Sequence, residues 1–290
     1  MSKHKPAAAP KSQDPRSQLD LRPGQSIELL KELHILTREG KINQDSRRKL
    51  KQVYHLYQFI EKLLKELPAS EHGPTLADHG AGKSYLGFII YDLFFKGLGN
   101  GSIYGIETRS ELVASSQALA QRLGFDRMKF LNLTVAESAH SDALPEQIDV
   151  VTALHACDTA TDDAMAFGLQ KKAKYMVLVP CCQAELARAL NQNKALNLQR
   201  TPLAELWRHP LHTREMGSQL TNVLRCLYLE AMGYQVTVTE LVGWEHSMKN
   251  ELILAKYTGQ KKRAAAERLQ ALLEQFGLQA LAETRFKIAA

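Results

Sequence analysis

Leu76-Ala77-Asp78-His79-Gly80-Ala81-Gly82-Lys83-Ser84 is the pivot of this sequence. A short apolar run, Thr75 to Ala77, ends in an acid, passes through a glycine-rich turn and enters an amphipathic segment from Tyr85 to Phe95. The pattern predicts a strand, a tight loop and a helix, an arrangement in which backbone N–H groups and a helix N-terminus face a ligand. Gly80 and Gly82 carry no Cβ, so a ligand can lie against the backbone there and φ can turn positive.

Two ligand classes compete for such a loop. Ala77-x4-Gly82-Lys83-Ser84 is a relaxed phosphate-binding loop, with alanine where G-x-x-x-x-G-K-[ST] starts with glycine. Asp78-x-Gly80-x-Gly82-x-Ser84 is a nucleoside-binding loop of the D-x-G-x-G kind, with serine in place of the last small glycine. The nucleoside reading requires the next strand to end in an acid that grips a ribose, roughly twenty residues on. Ser102-Ile103-Tyr104-Gly105-Ile106-Glu107 supplies Glu107, slightly beyond that distance. A phosphate loop wants an apolar strand ending in an aspartate for magnesium. Ile148 to Leu154 is apolar enough, but it runs into His155-Ala156-Cys157-Asp158, an odd ligand set for Mg²⁺. A glycine turn with no ligand is the plainest alternative. Two concordant strands favour the nucleoside loop.

At 290 residues the chain can bury a full core and carry one large domain with extensions. A hydrophobic content of 44% with 23% charged residues describes a globular protein, and no apolar run reaches the roughly 18 residues of a membrane span. The start lacks a signal-peptide core. Residues 1–24 are rich in Lys, Arg, Pro, Ala and Ser and are expected to be a disordered basic arm. Cys157, Cys181, Cys182 and Cys226 make no disulfide framework, which suits a reducing cytoplasm. The net charge of +6 is compatible with a polyanionic partner such as RNA, though the excess is modest.

Ile27, Leu30, Leu33 and Leu36 recur at helical spacing, with Gly40 as the expected stop. A second helix is expected from Asp45 or Ser46, with a stripe of Leu50, Val53, Tyr57, Ile60, Leu64 and Leu67 ended by Pro68. These two form an N-terminal helical cap over 25–68. From Thr75 onward strands and helices alternate, which implies a parallel sheet covered on both faces. Strands are expected at 75–78, 102–107, 127–132, 148–155 and 174–180, with helices over 84–96, 110–123, 161–171 and 183–193. A less regular stretch from Ala195 to Thr213, containing Pro202 and Pro210, precedes a helix over 214–232 closed by Gly233. Tyr234 to Val242 and Glu251 to Tyr257 are strands too close for a crossover helix, hence antiparallel. The main domain is thus 72–258, and 259–290 begins with Lys261-Lys262-Arg263 and continues as an amphipathic helix through Leu269, Leu272, Leu273 and Phe276.

In an open α/β sheet ligands bind beyond the carboxyl ends of the strands, near the switch in strand order. The windows there are Asp78 to Ser84, Glu107, Asn132, His155 to Asp158, and Pro180 to Gln183. Leu154-His155-Ala156-Cys157-Asp158-Thr159-Ala160-Thr161-Asp162-Asp163, followed by Val179-Pro180-Cys181-Cys182-Gln183, closely resembles a family of class I S-adenosylmethionine (AdoMet)-dependent methyltransferases. Its eukaryotic relatives include tRNA 2′-O-methyltransferases acting on the acceptor stem and several proteins named only as methyltransferase-like. The glycine loop, Glu107 and Trp244-Glu245-His246-Ser247-Met248-Lys249-Asn250-Glu251 also look like that family, and the likeness spans most of the chain from near Asp45 to near Thr258. Ser84 departs from the usual third glycine.

The resemblance implies a Rossmann-like, mostly parallel seven-stranded sheet with an antiparallel last strand. It implies AdoMet as cofactor, lying across the glycine loop, with Glu107 accepting hydrogen bonds from the ribose hydroxyls. Asp78, Gly80, Gly82, Lys83, Glu107, Asn132, Leu154 and His155 are then the candidate cofactor residues, and Lys51 or Tyr54 borders the cofactor in similar enzymes. His155, Asp158, Cys181 and Cys182 are the candidate catalytic residues.

Each of these has a plainer role beside the chemical one. His155 can take a proton from an attacking hydroxyl or amine, or bond a backbone carbonyl while Asp158 or Thr161 caps the helix at 161–171; both stay open. Thr161 and Asp162 read better as caps than as catalysts. Cys181 or Cys182 as a thiolate attacking a pyrimidine lacks a local basic residue to lower its pKa. A zinc site with Cys157, His155 or His246 lacks a C-x2-C partner pair, so no metal is expected and buried cysteines lining the cleft are the favoured reading. His246, Lys249 and Asn250 sit between the last strands; Lys249 reads as a solvated turn residue unless burial lowers its pKa. Lys171-Lys172-Ala173-Lys174 and Lys261-Lys262-Arg263 are solvated faces or, with RNA as substrate, phosphate contacts. The resemblance and the modest basic charge imply a methyltransferase acting on RNA, tRNA or rRNA, at oxygen or nitrogen. A protein methyltransferase, an inactive AdoMet-binding scaffold and a phosphate-loop NTPase are the alternatives.

Overall fold

In the computed structural model, which describes residues 21–154, 156, 158–180, 184–193, 202–241 and 251–288, the run Thr75–His79 forms strand β1. The strands that follow are β2 (Ser102–Glu107), β3 (Met128–Asn132), β4 (Val150–Leu154), β5 (Tyr175–Val179), β6 (Tyr234–Glu240) and β7 (Glu251–Tyr257). They make one seven-stranded sheet in the order β3-β2-β1-β4-β5-β7-β6. The first five are parallel, with Leu76 of β1 paired to Ile103 on one side and Val150 on the other. β7 is antiparallel to both β5 and β6, as the short connection between the last two strands predicts. That connection, with His246, Lys249 and Asn250, lies outside the described residues. β1 pairs with β2 on one flank and β4 on the other, so the glycine loop leaves the sheet at the switch in strand order.

Alternate residues of each strand face opposite layers. Leu76, Ile103, Val150 and Val177 bury toward α1 (Ile27–Glu32), α2 (Gln44–Lys65), α3 (Tyr85–Ile90) and α4 (Ser110–Arg122). Ala77, Tyr104, Val151 and Met176 bury toward α5 (Val135–Ala139), α6 (Ala160–Gln170), α7 (Glu185–Asn193), α8 (Pro210–Ala231), α9 (Arg263–Gln275) and α10 (Ala280–Thr284). A sheet covered on both faces explains why β4 and β5 read as continuous apolar runs.

The stripe Leu50, Val53, Tyr57, Ile60 and Leu64 is buried as its spacing predicts, and Leu56 joins it. Asn43 caps α2 by accepting from the Ser46 N–H at 2.7 Å. α1 stops well before Gly40: His34 takes φ 55°, and the N–H groups of Ile35 and Leu36 close onto the Leu30 carbonyl. A helix end made by a non-glycine residue in the left-handed region leaves no glycine to read. Within the expected arm, Arg22 already packs, its guanidinium 5.0 Å from the Tyr57 ring centroid and 5.2 Å from that of Tyr54.

The helix expected over 84–96 is interrupted. α3 passes into a π-helical turn, Tyr91–Phe95, before Lys96–Leu98. The turn buries Asp92, whose Oδ2 accepts from the Ser26 N–H at 2.7 Å and so ties the start of α1 to α3. Pro202–Trp207 is a 3-10 helix, and α8 begins at Pro210 rather than 214. The run Lys261 to Arg263 is a solvated face, as is Lys172, whereas Lys171 and Lys174 are drawn into the structure. Lys171 is buried, Lys174 Nζ donates to the Tyr257 carbonyl, Lys262 pairs with Glu230 at 2.7 Å and Arg263 with Glu267 at 2.8 Å.

Candidate cofactor-binding site

β1 delivers Asp78 and His79 to the mouth of the glycine loop on opposite faces of the sheet. Asp78 is buried, and its Oδ1 accepts from Thr152 Oγ1 at 2.7 Å. Burial pushes its carboxyl up to about 7, against the lowering effect of that bond. His79 packs edge-on against Phe167, with ring centroids 4.4 Å apart. Burial pulls its imidazole down to about 3, so the ring is neutral, and neither nitrogen has a hydrogen-bond partner among the described residues.

Gly80 and Gly82 take φ of 63° and 57°, as the loop reading expects. A Cβ at either would meet only ordinary contacts, so these positions demand glycine for backbone shape. Ser84, which stands where a third glycine is usual, adopts the same left-handed conformation with φ 51°. Its buried Oγ lies 2.6 Å from where a Cβ on Gly87 would fall, so Gly87 makes the room that Ser84 needs. The Ala81 N–H donates to the Ile106 carbonyl and moors the loop to β2.

Glu107 closes β2 beside that loop. Its Oε2 accepts from the Gly82 N–H at 2.8 Å, and its Oε1 accepts from the Arg109 N–H at 3.1 Å and Nε at 3.0 Å. Partial burial raises the carboxyl, but the donors of Arg109 and Gly82 outweigh it and bring it down to about 2. Asn132, at the end of β3, spends its amide on the carbonyls of Glu107 and Thr108, holding the turn that carries the acid. Lys83 is exposed in the loop and Leu154 is half-buried at the end of β4. Tyr54 is committed to Gln25 and to Arg22, and burial pushes its phenol up to about 12. Lys51 is exposed on α2.

The described catalytic candidate takes a different part from the one expected. Asp158, at φ 52°, does not cap α6; its Oδ1 accepts from the Ala184 and Glu185 N–H groups at 2.8 and 2.9 Å and so caps α7. Oδ2 takes Arg188 Nη2 at 3.0 Å. Partial burial raises the Asp158 carboxyl, but these donors hold it below the usual carboxylate range. With both oxygens occupied it joins the loop after β4 to the start of the helix after β5. Thr161 and Asp162 are not caps either. Thr161 Oγ1 donates to the Ala156 carbonyl, and Asp162 receives Arg225 through Nε at 2.8 Å and Nη2 at 2.7 Å. Arg225 Nη2 also donates to the Asp158 carbonyl at 2.9 Å. Sequence reasoning missed Arg225, a cation in the middle of an amphipathic helix with no local sign that it is buried. His155, Cys157, Cys181 and Cys182 lie outside the described residues. Among the described ones, no group of three or more His, Cys, Asp or Glu is placed to hold a metal.

Glu107, an acid at the end of β2 that accepts the Gly82 N–H of a loop with two positive-φ glycines, stands where an open α/β sheet places its ligand-facing residues. Residues 48–189 match a family described as a methyltransferase domain. These residues carry a methyltransferase domain. The matched stretch runs from α2 into α7 and contains the glycine loop, Glu107 and Asp158. No curated protein matches the chain. Solved structures similar to this methyltransferase include the magnesium protoporphyrin IX methyltransferase of Synechocystis with bound SAH, at 14% identity and TM-score 0.46, covering 80% of this chain and 95% of that one. An rRNA methylase from Streptococcus thermophilus aligns at 9% identity and TM-score 0.41 over 69% of this chain and 94% of its own. TrmK of M. capricolum, in complex with S-adenosyl-homocysteine, aligns at 10% identity and TM-score 0.42 over 80% and 87%. No described helix of the methyltransferase is long and apolar enough to cross a membrane.

Proposed function

We propose that this methyltransferase modifies RNA, tRNA or rRNA, at an oxygen or nitrogen atom, in the cytoplasm. The observation that carries the cofactor half of this reading is Glu107, an acid at the end of β2 whose carboxylate faces the Gly82 N–H. Asp78 and the backbone of Gly80 to Lys83 complete the cradle, in a domain spanning 72–258 between the helical cap at 25–68 and the extension at 259–290. When bound, AdoMet supplies a methyl group activated by its positively charged sulfur. His155 is the group assigned to take the proton from the attacking hydroxyl or amine, since an imidazole ordinarily titrates near neutrality. Asp158, engaged by α7 and Arg188, anchors the start of α7 to the segment after β4.

The RNA half rests on the resemblance of the 154–163 and 179–183 segments to tRNA-modifying enzymes and on the position of α2. The far end of that helix reaches Glu66, which bonds Tyr175 at the start of β5 and Lys256 near the end of β7. Both mark the edge of the sheet opposite the glycine loop. A helix of 22 residues is about 33 Å long, so its first turns, with exposed Arg48, Lys49 and Lys51, project toward the cofactor edge. They and the exposed Lys83 are candidate phosphate contacts.

Transfer of tritium from labelled AdoMet into fractionated cell RNA and protein tests the substrate. Label in RNA is the expected result. Label confined to protein would move the acceptor to a side chain, and no label in either pool would favour a scaffold that binds AdoMet without catalysis.

A further inference from the structure

Glu107 carries four donors besides the Thr108 hydroxyl, which lies 3.4 Å from Oε1. Two are backbone N–H groups, of Gly82 and of Arg109, fixed by the fold at 2.8 and 3.1 Å. The other two belong to the Arg109 guanidinium, whose Nε reaches Oε1 at 3.0 Å and whose Nη2 reaches Oε2 at 3.2 Å. An ionised carboxylate offers about four acceptor directions, so this set leaves none for a sugar. The two partners differ in exposure. The Glu107 side chain is 8% exposed and anchored in β2, whereas that of Arg109 is 60% exposed and reaches in from solvent. Arg109 Nη2 also lies 3.8 Å from where a Cβ on Gly82 would stand, over the loop face that a nucleoside would occupy. Its side chain makes no capping bond to α4, so the helix does not depend on it.

We propose that Arg109 sets the cofactor affinity of this domain: the ribose hydroxyls take the two Glu107 positions that the guanidinium holds, and binding proceeds by exchange of Arg109 for the sugar. This rests on the assignment of Glu107 to the ribose. Binding then replaces a two-pronged ion pair with two neutral hydrogen bonds, and the cofactor binds more weakly than an unobstructed carboxylate would allow. Arg109 is a positioning residue that acts through Glu107. Added salt weakens an exposed ion pair but leaves bonds from sugar hydroxyls nearly unchanged, so affinity in the wild type rises with ionic strength.

The test is calorimetry on the full chain with S-adenosylhomocysteine, which is zwitterionic and has no net charge, so salt acts on the protein's ion pair. Wild type, Arg109→Gln, Arg109→Lys and Glu107→Gln are compared at about 50 mM and about 500 mM NaCl, a span that takes the screening length from beyond the pair's reach to near contact. Arg109→Gln should tighten binding roughly three- to tenfold at low salt and lose the salt dependence. Arg109→Lys, which keeps the charge but not the fork, should fall between. A residue that merely supported the fold would lower affinity on removal, so tighter binding distinguishes the exchange. If Glu107→Gln weakens binding while Arg109→Gln leaves it unchanged or weaker, the exchange is wrong and the cradle stands. If Glu107→Gln binds like wild type, the ribose assignment itself fails and this inference falls with it.

Discussion

Asp78 and His79 are neighbours on β1, and burial acts on them in opposite directions. An aspartate that releases its proton near 3.8 when unfolded and near 7 when folded is bound to more protons in the folded state between those values. Its ionisation therefore costs stability progressively as pH rises from about 4 to about 7, and the cost is level above that. Asp78→Asn, which still can accept from Thr152 but never ionises, should gain on the order of a few kcal/mol relative to wild type between pH 5 and pH 8. Urea midpoints at the two pH values check this; a constant difference would mean that Asp78 titrates as an ordinary carboxyl. His79 has the reverse dependence. Its pKa falls from 6.5 to about 3 on folding, so the stability of keeping it neutral is complete above 6.5 and lost as pH drops toward 3. His79→Phe, which keeps the ring against Phe167, should flatten the acid limb of the urea-midpoint profile below pH 6.5; an unchanged limb would place the acid sensitivity elsewhere. The positions of both residues were legible in the sequence, because a strand running into a glycine loop places them. Their charge states were not, since these depend on Thr152 and Phe167, 74 and 88 residues away.

At the scale of elements, the loop after β4 is held from beneath by α8. Arg225 is almost fully buried and divides its donors between Asp162, the Asp158 carbonyl and Asn222 Oδ1, while Asn222 Nδ2 donates to Glu251 on β7. Removing one member of a buried pair leaves the other charge without compensation. Arg225→Met should cost about 3 to 5 kcal/mol, and adding Asp162→Leu should recover part of it, because replacing both charges avoids the orphan. A double-mutant cycle in urea measures this, and additive losses would show that the two side chains do not interact. The sequence showed the alternation of strands and helices, because both faces of the sheet are covered and the apolar periods are long. It hid what depends on contacts between elements: Asp162 read as a cap when it is the anion for Arg225. Other signals were present in the sequence but went unread. Thr134-Val135-Ala136-Glu137 is a capping box and opens α5, and Pro210 stands at the first turn of α8, a position proline favours, although it read as part of a less regular stretch.

At the scale of the whole molecule, the family match ends at residue 189, yet the core beneath the site continues to Phe286. Leu269, Leu273 and Leu281 of the last two helices, with Leu278 between them and Phe286 after them, bury in the same cluster as Leu224, Tyr228 and Leu229 of α8, the helix that supplies Arg225. Arg285 reaches further, donating to Glu185 at the first turn of α7 and pairing with Asp163 on α6. The extension thus packs on the layer that supports the loops after β4 and β5, by apolar burial and by a partly exposed ion pair. The two contributions differ in size. Buried side chains of this kind stabilise by roughly 1.5 to 3 kcal/mol each as an upper bound, whereas partly exposed ion pairs are worth about 1 kcal/mol or less. A chain ended after Gly259 should therefore melt more than about 10 °C below the full chain, while Arg285→Ala should shift the midpoint by no more than about 4 °C. Differential scanning calorimetry of the three proteins separates the cases. If the shortened chain melts with the full one, the last helices are an appendage. If Arg285→Ala falls as far as the truncation, the ion pair and not the apolar face joins the extension to the site.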